Sequence, residues 1–496
     1  MPHSSRCRVN TRPTLPGCPK VAARHGRVHA MPRPALVRYA GLAGSLLLAV
    51  SAYLGGAHSP WSPNITPGTI FAGANGVLLP LSWLAGTVLL VGAWWVGRRD
   101  VPSARWAYVT AGLWMVPLLP FLPLGSYDVY SYACQGWQQA AGLDPYAGGV
   151  DLLGCPWADA VSPTWTDSPA PYGPVFLLLA ALAAKIGGGS LTVTVAVLRI
   201  VALLGVVLIA VSLPALTRRT GVPLKRAVWL ALACPLVPIH LVSGAHNDAV
   251  MVGLILAGLA LAAARRPLPA GALFGLAIGV KATAVVVVPF ALLLVFSSRK
   301  WRPAAELLGG VVAALAVVSL VSGRGFGWIT GLTGSGASVQ WTSPPTAVGL
   351  TIGLFGVDAV PVTRVIGIVL LAFVLVGLWW RALRGGDVWR NTGLAMAATV
   401  VLSPVFHPWY ATWALALLAV TLREESRWVA APAAVASVLC LPDGYNLALA
   451  VKTQGAVAMT VLIGYLGFKA IDAVKSSRSL PAGPDHAGDQ LSRRDP

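Results

Sequence analysis

Residues 124–174 read LGSYDVYSYACQGWQQAAGLDPYAGGVDLLGCPWADAVSPTWTDSPAPYGP, in a chain otherwise rich in Leu, Ala, Val and Gly. The segment carries many aromatic residues, two cysteines and five acids, which are Asp128, Asp144, Asp151, Asp159 and Asp167. Apolar stretches flank it on both sides, one ending near Leu122 and the other beginning at Val175. A polar, acidic and aromatic loop at a membrane surface favours an enzyme that acts on a sugar lipid over a passive span.

The composition assigns the chain to a broad class. Hydrophobic residues make up 56% of it and charged residues only 11%, whereas soluble domains carry about 25% charged residues. We therefore expect a polytopic membrane protein with no large soluble domain and with membrane lipids as partners. The net charge of +19 does not indicate nucleic-acid binding. The basic residues form short clusters between apolar runs, the pattern of cytoplasmic loops: Arg98–Arg99, Arg218–Arg219, Arg265–Arg266 and Arg299–Lys300 among them.

The apolar runs predict a topology. Spans at 37–55, 76–97 and 105–123 place the acidic loop outside. The next run, 175–187, is shorter than the ~20 residues that a span requires, so we expect an external helix lying on the membrane. The run 190–214 then crosses inward. Later expected spans are 227–243, 249–264, a helical hairpin in 268–297 that turns near Lys281, 304–322, 361–380, 391–405, 409–422, 428–441 and 453–470. The prediction is an all-α polytopic protein of about 13–14 transmembrane helices.

The two ends differ from the membrane domain, which we place at residues 36–475, with the external loop at 124–174. Residues 1–35 are basic and without apolar period, so we expect them to be disordered. Met31 could begin a shorter protein. No cleavable signal peptide is expected, because the first apolar run is long enough to span and many more follow it. Residues 476–496 are polar and are expected to be a disordered cytoplasmic tail.

The six cysteines divide by position. Cys134 and Cys155 share the external loop, where oxidation is permitted, and the sequence leaves both a disulfide and two free thiols open. The other four lie in the N-terminal tail or in apolar spans and are expected to be inert: Cys7, Cys18, Cys234 and Cys440. No zinc-binding spacing occurs, and we expect no metal site.

Asp128 is the candidate catalytic residue. It follows the third expected span within the sequence SYDVYSY, residues 126–132. A carboxylate at the rim of a membrane cavity can deprotonate an acceptor hydroxyl, and Tyr127, Tyr130 and Tyr132 can stack on sugar faces. The alternative is an interfacial acid within an aromatic belt, since Tyr and Trp are enriched at that depth. The local pattern alone leaves both interpretations open.

Other polar residues interrupt the apolar runs. Ionisable groups at membrane depth are costly and usually face a polar cavity, although each could instead form an interhelical hydrogen bond. We favour a functional role for Arg199 and Lys281 and a structural one for His240. Proline-containing sequences at 144–146 and 170–174 are expected to shape the loop and to start the external helix. Two polar turns complete the set: His246-Asn247-Asp248 and His407-Pro408-Trp409-Tyr410.

These residues carry a family resemblance. The chain resembles the bacterial polyprenol-phosphomannose-dependent α-1,6-mannosyltransferases of the Mpt type, within the GT-C superfamily of membrane glycosyltransferases. The matching segments are SYDVYSYACQGWQQAAGLDPY at 126–146, APYGPVFL at 170–177, SGAHNDAVMVGLILAG at 243–258, GLAIGVKATAVVVVPF at 275–290 and SPVFHPWYATWAL at 403–415. The resemblance implies a GT-C-like bundle whose external loop carries membrane-surface helices. One departure is that two spans precede the loop-bearing span, where many such enzymes have one.

The resemblance also implies a mechanism. Asp128 would act as base, and mannose would pass from polyprenyl-phosphate-mannose to a lipid-linked mannoside acceptor, with inversion and an α-1,6 linkage. The reaction would take place at the external face of the plasma membrane and require no cofactor. Cations or strong donors must hold the leaving phosphate, and the candidates are Arg199, Lys281, His246 and His407. The residues expected at the sugar or acceptor are Tyr127, Tyr130, Tyr132, Asp144, Tyr172, Asn247, Asp248, Trp409 and Tyr410.

Two other functions stay open at this point. One is a GT-C transferase of another sugar or linkage, such as α-1,2-mannosyl or arabinosyl transfer, which the motifs barely distinguish. The other is a transporter or flippase of lipid-linked sugars. Transporters often show inverted repeats with broken helices at corresponding positions. No such repeat stands out here, and catalysis explains the acidic loop better.

Overall fold

The computed structural model describes residues 33–63, 69, 76–296, 301–332, 336, 338–424 and 426–478, with side chains to residue 472. Within these ranges every regular element is a helix. Most of the two ends expected to be disordered, residues 1–32 and 479–496, lie outside the described residues. The first helix begins at Arg33 and the last ends at Arg478, within three residues of the predicted borders at 35 and 476.

The helices follow one another through the chain. The first ten are α1 (Arg33–Gly55), α2 (Leu78–Gly97), α3 (Ala104–Met115), α4 (Asp128–Ala140), α5 (Val150–Leu153), α6 (Pro174–Gly187), α7 (Leu191–Thr220), α8 (Leu224–Ala231), α9 (Asp248–Ala263) and α10 (Pro267–Val280). The next ten are α11 (Val288–Val295), α12 (Arg302–Val321), α13 (Trp328–Gly331), α14 (Pro344–Gly353), α15 (Val360–Leu383), α16 (Val388–Leu402), α17 (Ala411–Ala419), α18 (Arg427–Val438), α19 (Leu447–Ala450) and α20 (Lys452–Arg478). A π-helical turn, Val237–Ser243, precedes α9.

The structure confirms an all-α polytopic membrane protein. Among the described residues, six helices are long and apolar enough to cross a membrane, namely α1, α2, α7, α12, α15 and α20. The turn Val237–Ser243 and α9 would form a seventh, bent by 107°. This number is below the thirteen or fourteen predicted, because several apolar runs are divided into shorter helices. Run 227–243, for example, is interrupted around Pro235 and Pro238, where proline removes a helical donor.

Small residues allow the helices to approach closely. A Cβ added to Gly44 of α1 would lie 2.6 Å from the backbone nitrogen of Leu90 in α2. Membrane helices commonly pack through such small residues.

A Cβ on Gly271 would meet the Leu307 carbonyl oxygen at 1.9 Å, and one on Gly279 would lie 3.5 Å from Val318. These contacts advance in the same direction along α10 and α12, which therefore run parallel. The chain must return between them, as the predicted hairpin with Lys281 at its turn requires.

The segment between α3 and α6 is tied together covalently. A disulfide joins Cys134 in α4 to Cys155, with their Cα atoms 5.5 Å apart, and resolves the alternative that the sequence left open. The apolar run expected at 175–187 forms the 14-residue helix α6, which ends at two left-handed residues, Gly188 and Gly189. It packs against α4 and α7 and is not among the helices long enough to span.

Candidate active site

Asp128 lies where three cavities adjoin. It is the first residue of α4 and lines cavities of about 280, 210 and 10 Å³. The indole of Trp165 lines the same three cavities. Asp128 and Trp165 therefore form a shared wall, and a group bound in either of the two larger cavities can approach the Asp128 carboxylate.

The largest of the three, which we call the polar cavity, is lined mainly by hydroxyl, amide and aromatic side chains. Such a surface suits a sugar, because aromatic faces can stack on its C–H groups while hydroxyls and amides bind its oxygens. The polar and aromatic residues of this wall are Trp61, Ser126, Tyr127, Ser162, Thr164, Ser338, Gln340, His407, Trp409, Tyr445 and Asn446.

The second, which we call the lysine cavity, has a cation in its wall. Its polar and aromatic lining, apart from Asp128 and Trp165, consists of Tyr172, Lys281, Thr283, Ser403, His407, Tyr410 and Trp413. His407 lines both the lysine cavity and the polar cavity. An anion in the lysine cavity would therefore meet an ammonium group and an imidazole within reach of Asp128.

The environment of Asp128 suits a general base. Burial raises the pKa of the carboxyl to about 6, while hydrogen bonding from Ser126 and Trp165 and the charge of Lys281 oppose the rise. Its Oδ2 lies 3.9 Å from His246 Nδ1. At neutral pH the group is mostly ionised, yet it is more basic than an ordinary aspartate, which has a pKa of about 3.9. A pKa close to the working pH is favourable for proton transfer.

Lys281 is held by a buried counterion. Its ammonium lies 2.9 Å from Asp248 Oδ1, and Trp413 Nε1 donates to the same oxygen at 2.6 Å. The ammonium also lies 4.2 Å from the ring centroid of Tyr410 and 4.9 Å from that of Trp413, distances typical of cation–π contacts. Asp248 lines none of the three cavities, so it fixes the cation in place rather than facing them.

Trp409 is stacked against two histidines. Its ring centroid lies 3.9 Å from that of His246 and 4.6 Å from that of His407. His246 Nδ1 also lies 3.1 Å from the hydroxyl of Tyr132. His246 and Asn247 are buried and line none of the three cavities.

The structure separates the candidate residues into two groups. Those that line a cavity are Asp128, Tyr127, Tyr172, Lys281, His407, Trp409 and Tyr410. Those that do not are Arg199, Tyr130, Tyr132, Asp144, His246, Asn247 and Asp248.

Three members of the second group make internal contacts instead. Arg199 donates to the carbonyl oxygens of Leu119 at 2.6 Å and Ser243 at 2.8 Å. The Tyr130 hydroxyl donates to the Ala57 carbonyl at 2.6 Å. Asp144 accepts from the backbone N–H of Tyr146 at 3.0 Å, which closes a turn of the external loop. These contacts position the loop and the break before α9.

Several cavity residues were missed by the sequence analysis. Trp165 lies within the quoted segment, and its aromatic side chain among polar residues was an available signal. Ser338, Gln340 and Asn446 lie outside the apolar runs, between helices, where no periodic pattern indicates which side chains face inward. Across the described ranges, no three His, Cys, Asp or Glu side chains are grouped so that they could hold a metal ion.

Comparison with known proteins shows which family the chain matches. Residues 38–297 match the family described as alpha-(1->6)-mannopyranosyltransferase, N-terminal domain, and residues 345–468 match the MptB C-terminal domain. Asp128 and Lys281 come from the first match, and His407 and Asn446 from the second. The cavities are thus built from both matched segments.

Individual relatives share this similarity. The chain is 36% identical to alpha-(1->6)-mannopyranosyltransferase A of Mycobacterium tuberculosis, over 82% of this chain and 84% of the relative. It is 32% identical to a probable alpha-(1->6)-mannopyranosyltransferase of Mycolicibacterium smegmatis, over 80% and 83%. It is also 32% identical to alpha-(1->6)-mannopyranosyltransferase B of Corynebacterium glutamicum, over 72% and 65%. No solved structure matches the chain.

Proposed function

Because the chain belongs to the alpha-(1->6)-mannopyranosyltransferase family, we propose that this membrane mannosyltransferase uses polyprenyl-phosphate-mannose as its donor. The acceptor is a lipid-linked mannoside, and the new bond is an α-1,6 linkage formed with inversion. In this reaction the acceptor oxygen bonds to the anomeric carbon, the bond from that carbon to the phosphate oxygen breaks, and polyprenyl phosphate leaves. The acceptor proton passes to Asp128.

One observation carries the proposal. Asp128 lies at the junction of the polar cavity and the lysine cavity. A base is useful only where acceptor hydroxyl and donor anomeric carbon meet, since proton removal must coincide with attack. Family membership indicates that the transferred sugar is mannose. Each of the two cavities is proposed to receive one substrate.

The lysine cavity is proposed to receive the donor phosphate. The leaving group carries negative charge, and a preorganised cation stabilises that charge as it develops. Lys281 can offer the ammonium hydrogens that Asp248 does not accept, and His407 lies in the same wall. Tyr172 and Tyr410 give this cavity aromatic sides against which the mannose ring can pack.

The polar cavity is proposed to receive the acceptor sugar. Trp61 and Tyr127 offer aromatic groups, while Ser126, Ser162 and Thr164 offer hydroxyls. Aromatic and hydroxyl groups together suit the apolar faces and the hydroxyls of a hexose.

The active site is proposed to face the outside of the plasma membrane. The Cys134–Cys155 disulfide lies in the same segment as Asp128, and disulfides form and persist in oxidising surroundings. Basic clusters lie at the C-terminal ends of α2, α7 and α9, and such clusters favour the cytoplasmic side of a membrane. These helix ends are therefore proposed to lie on the cytoplasmic side, opposite the active site.

Product analysis tests the whole proposal. Membranes containing the chain are incubated with labelled polyprenyl-phosphate-mannose and a short mannoside acceptor, and the product linkage is determined. We expect label in a new α-1,6-mannosidic bond, and about 10²–10⁴-fold slower labelling with Asp128→Asn membranes. Transfer that proceeds from a nucleotide sugar after the lipid donor has been removed would contradict the proposed donor, and another linkage would contradict the proposed product.

A further inference from the structure

A chain of hydrogen bonds crosses the wall of the polar cavity and ends on His407. The backbone N–H of Ala448 donates to Asn446 Oδ1 at 2.9 Å, and Asn446 Nδ2 donates to Gln340 Oε1 at 3.1 Å. Gln340 Nε2 then lies 3.0 Å from His407 Nδ1. These hydrogen bonds connect the loop before α19, the segment before α14 and the turn before α17.

The polarity of this chain follows from its first member. A backbone N–H can only donate, so the oxygen of Asn446 must face Ala448, and its amide nitrogen must face Gln340. That nitrogen also can only donate, so it meets the oxygen of Gln340. The Gln340 nitrogen is then the donor toward His407, and His407 Nδ1 must accept. A neutral imidazole that accepts at Nδ1 carries its proton at Nε2.

The donor and acceptor roles in this series of hydrogen bonds cannot readily be exchanged. Gln340 is only 2% exposed, and its second amide hydrogen is donated to Ser338 Oγ at 3.1 Å. Arg364 donates to the Ser338 carbonyl at 2.7 Å. Ser343 donates to the Ser403 carbonyl at 2.7 Å, which fastens this segment to the one that carries His407. Turning over any one amide would place two donors or two acceptors against each other, at a cost comparable to losing buried hydrogen bonds.

We propose that Gln340 and Asn446 are positioning residues that hold His407 as a neutral Nε2–H donor at the junction of the two larger cavities. The inference rests on the proposed function for one step only, namely that the Nε2–H group donates to an oxygen of the donor phosphate. The assignment of the proton to Nε2 stands on the hydrogen-bond chain alone. It makes His407 a hydrogen-bond donor and leaves Asp128 as the base.

The surroundings of His407 agree with an uncharged ring. Burial, together with the positive charge of Lys281 and the nearby His240, lowers the pKa of His407 to about 3. Stacking on Trp409 fixes the plane of the ring, so the Nε2–H direction is determined once Nδ1 is bonded.

An isosteric substitution tests the polarity directly. In Asn446→Asp the new carboxylate can still accept from the Ala448 N–H, but it cannot donate to Gln340. The Gln340 amide must then turn over, and its oxygen must accept a proton from His407 Nδ1. Nitrogen NMR of protein labelled at histidine and held in lipid nanodiscs distinguishes the two tautomers, with His407→Gln identifying the signal. We expect the Nε2–H form in the unaltered chain and protonated Nδ1 in Asn446→Asp. An Nδ1–H or doubly protonated His407 in the unaltered chain at neutral pH would overturn the proposal, whatever the substrate.

Kinetics tests the link to the donor. Gln340→Met keeps the volume but removes the bond to His407, and we expect the donor KM to rise about tenfold, the effect of one hydrogen bond to a charged group of roughly 1.5 kcal/mol. The double variant Gln340→Met/His407→Gln should be no worse than His407→Gln, since residues that act through one another are not additive. Fully additive losses would overturn the positioning role. Thr351→Val is the control, because it removes a hydrogen bond between α14 and α20 outside the cavities and should leave the donor KM unchanged.

If the protein does not use polyprenyl-phosphate-mannose, the unaltered protein will show no transfer from this donor in the kinetic experiment. The tautomer measurement still decides whether the hydrogen-bond chain sets the proton on His407. Failure of the proposed function and failure of the positioning role therefore give different results.

Discussion

Lys281 Nζ lies 2.9 Å from Asp248 Oδ1, and this buried ion pair joins the turn after α10 to the first residue of α9. Trp413 donates to the same carboxylate oxygen. Lys281 lines the lysine cavity, whereas Asp248 does not. A cation held by these contacts would be in place for the proposed donor phosphate before the substrate arrives. Such preorganisation avoids the cost of rearranging charge during the reaction.

The first prediction concerns Lys281→Gln. The change removes the cation of the lysine cavity and leaves Asp248 buried without its counterion, which in other proteins costs about 3–5 kcal/mol. We therefore expect a higher donor KM, little change in the acceptor KM, and a lower thermal midpoint. Donor and acceptor saturation kinetics and a thermal melt of the purified protein measure these three quantities.

The double variant Lys281→Gln/Asp248→Asn separates the two effects. It removes both charges of the pair, so thermal stability should return towards that of the unaltered protein while donor use stays impaired. Recovery of donor use together with stability would show that Lys281 has only a structural role, and the donor-phosphate assignment would be withdrawn.

The second prediction concerns Asp128→Asn. An amide cannot accept the acceptor proton, so we expect turnover to fall by about 10²–10⁴-fold, the usual contribution of a general base. Donor binding should be nearly unchanged, because Lys281 and His407 are untouched. Asp159→Asn is the matched control, since it alters an exposed acid of the same loop that lines none of the three cavities. Near-normal turnover of purified Asp128→Asn would remove this residue from the mechanism.

The third prediction is a pH dependence. Asp128 must be ionised to accept a proton, and burial raises its pKa to about 6. Its protonated fraction therefore grows as the pH falls through 6, and kcat/KM should decline there rather than near pH 4, where an ordinary aspartate titrates. Rates measured between pH 5 and 8 in intact proteoliposomes check this. A profile that stays flat down to pH 5 would argue against Asp128 as the base.

Much of the fold could be predicted from the sequence, because hydrophobic burial in lipid leaves a strong signal. The short run 175–187 could not span, and it forms the 14-residue helix α6. The parallel course of α10 and α12 agrees with the hairpin at Lys281. The division of other apolar runs into short helices was not predicted, since apolar composition alone does not show where the backbone bends around Pro235 and Pro238.

The site was predictable only in part, for a physical reason. A polar residue at membrane depth must face something polar, which directed attention to Lys281 and His407, and both line the lysine cavity. The rule does not distinguish a cavity from a backbone carbonyl, and Arg199 faces carbonyls. Gln340 lies in an irregular segment, where no periodicity shows which way its side chain points. Its contact with His407 depends on two segments 67 residues apart in sequence.

The fourth prediction separates Arg199 from Lys281. Arg199→Gln removes the donors to the Leu119 and Ser243 carbonyls, and each buried acceptor left without a partner costs about 1–3 kcal/mol. We expect a lower thermal midpoint with the donor KM of the surviving folded protein unchanged. The opposite result, a raised donor KM with unaltered stability, would place Arg199 at the phosphate, as the sequence analysis expected.

The last prediction concerns the disulfide and the side of the membrane on which Asp128 lies. Cys134 and Cys155 are separated by 21 residues, and closing a loop of this size stabilises a fold by about 3 kcal/mol. Replacing both with Ser should therefore lower the thermal midpoint, and reducing the unaltered protein should lower it similarly. In that background, a cysteine introduced at Leu152, which is 73% exposed, should react with a membrane-impermeant maleimide on intact cells. A cysteine at the exposed Arg218 should react only after permeabilisation. Labelling of both positions from the same side would contradict the topology in which α6 stays outside and α7 crosses inward, and with it the external active site.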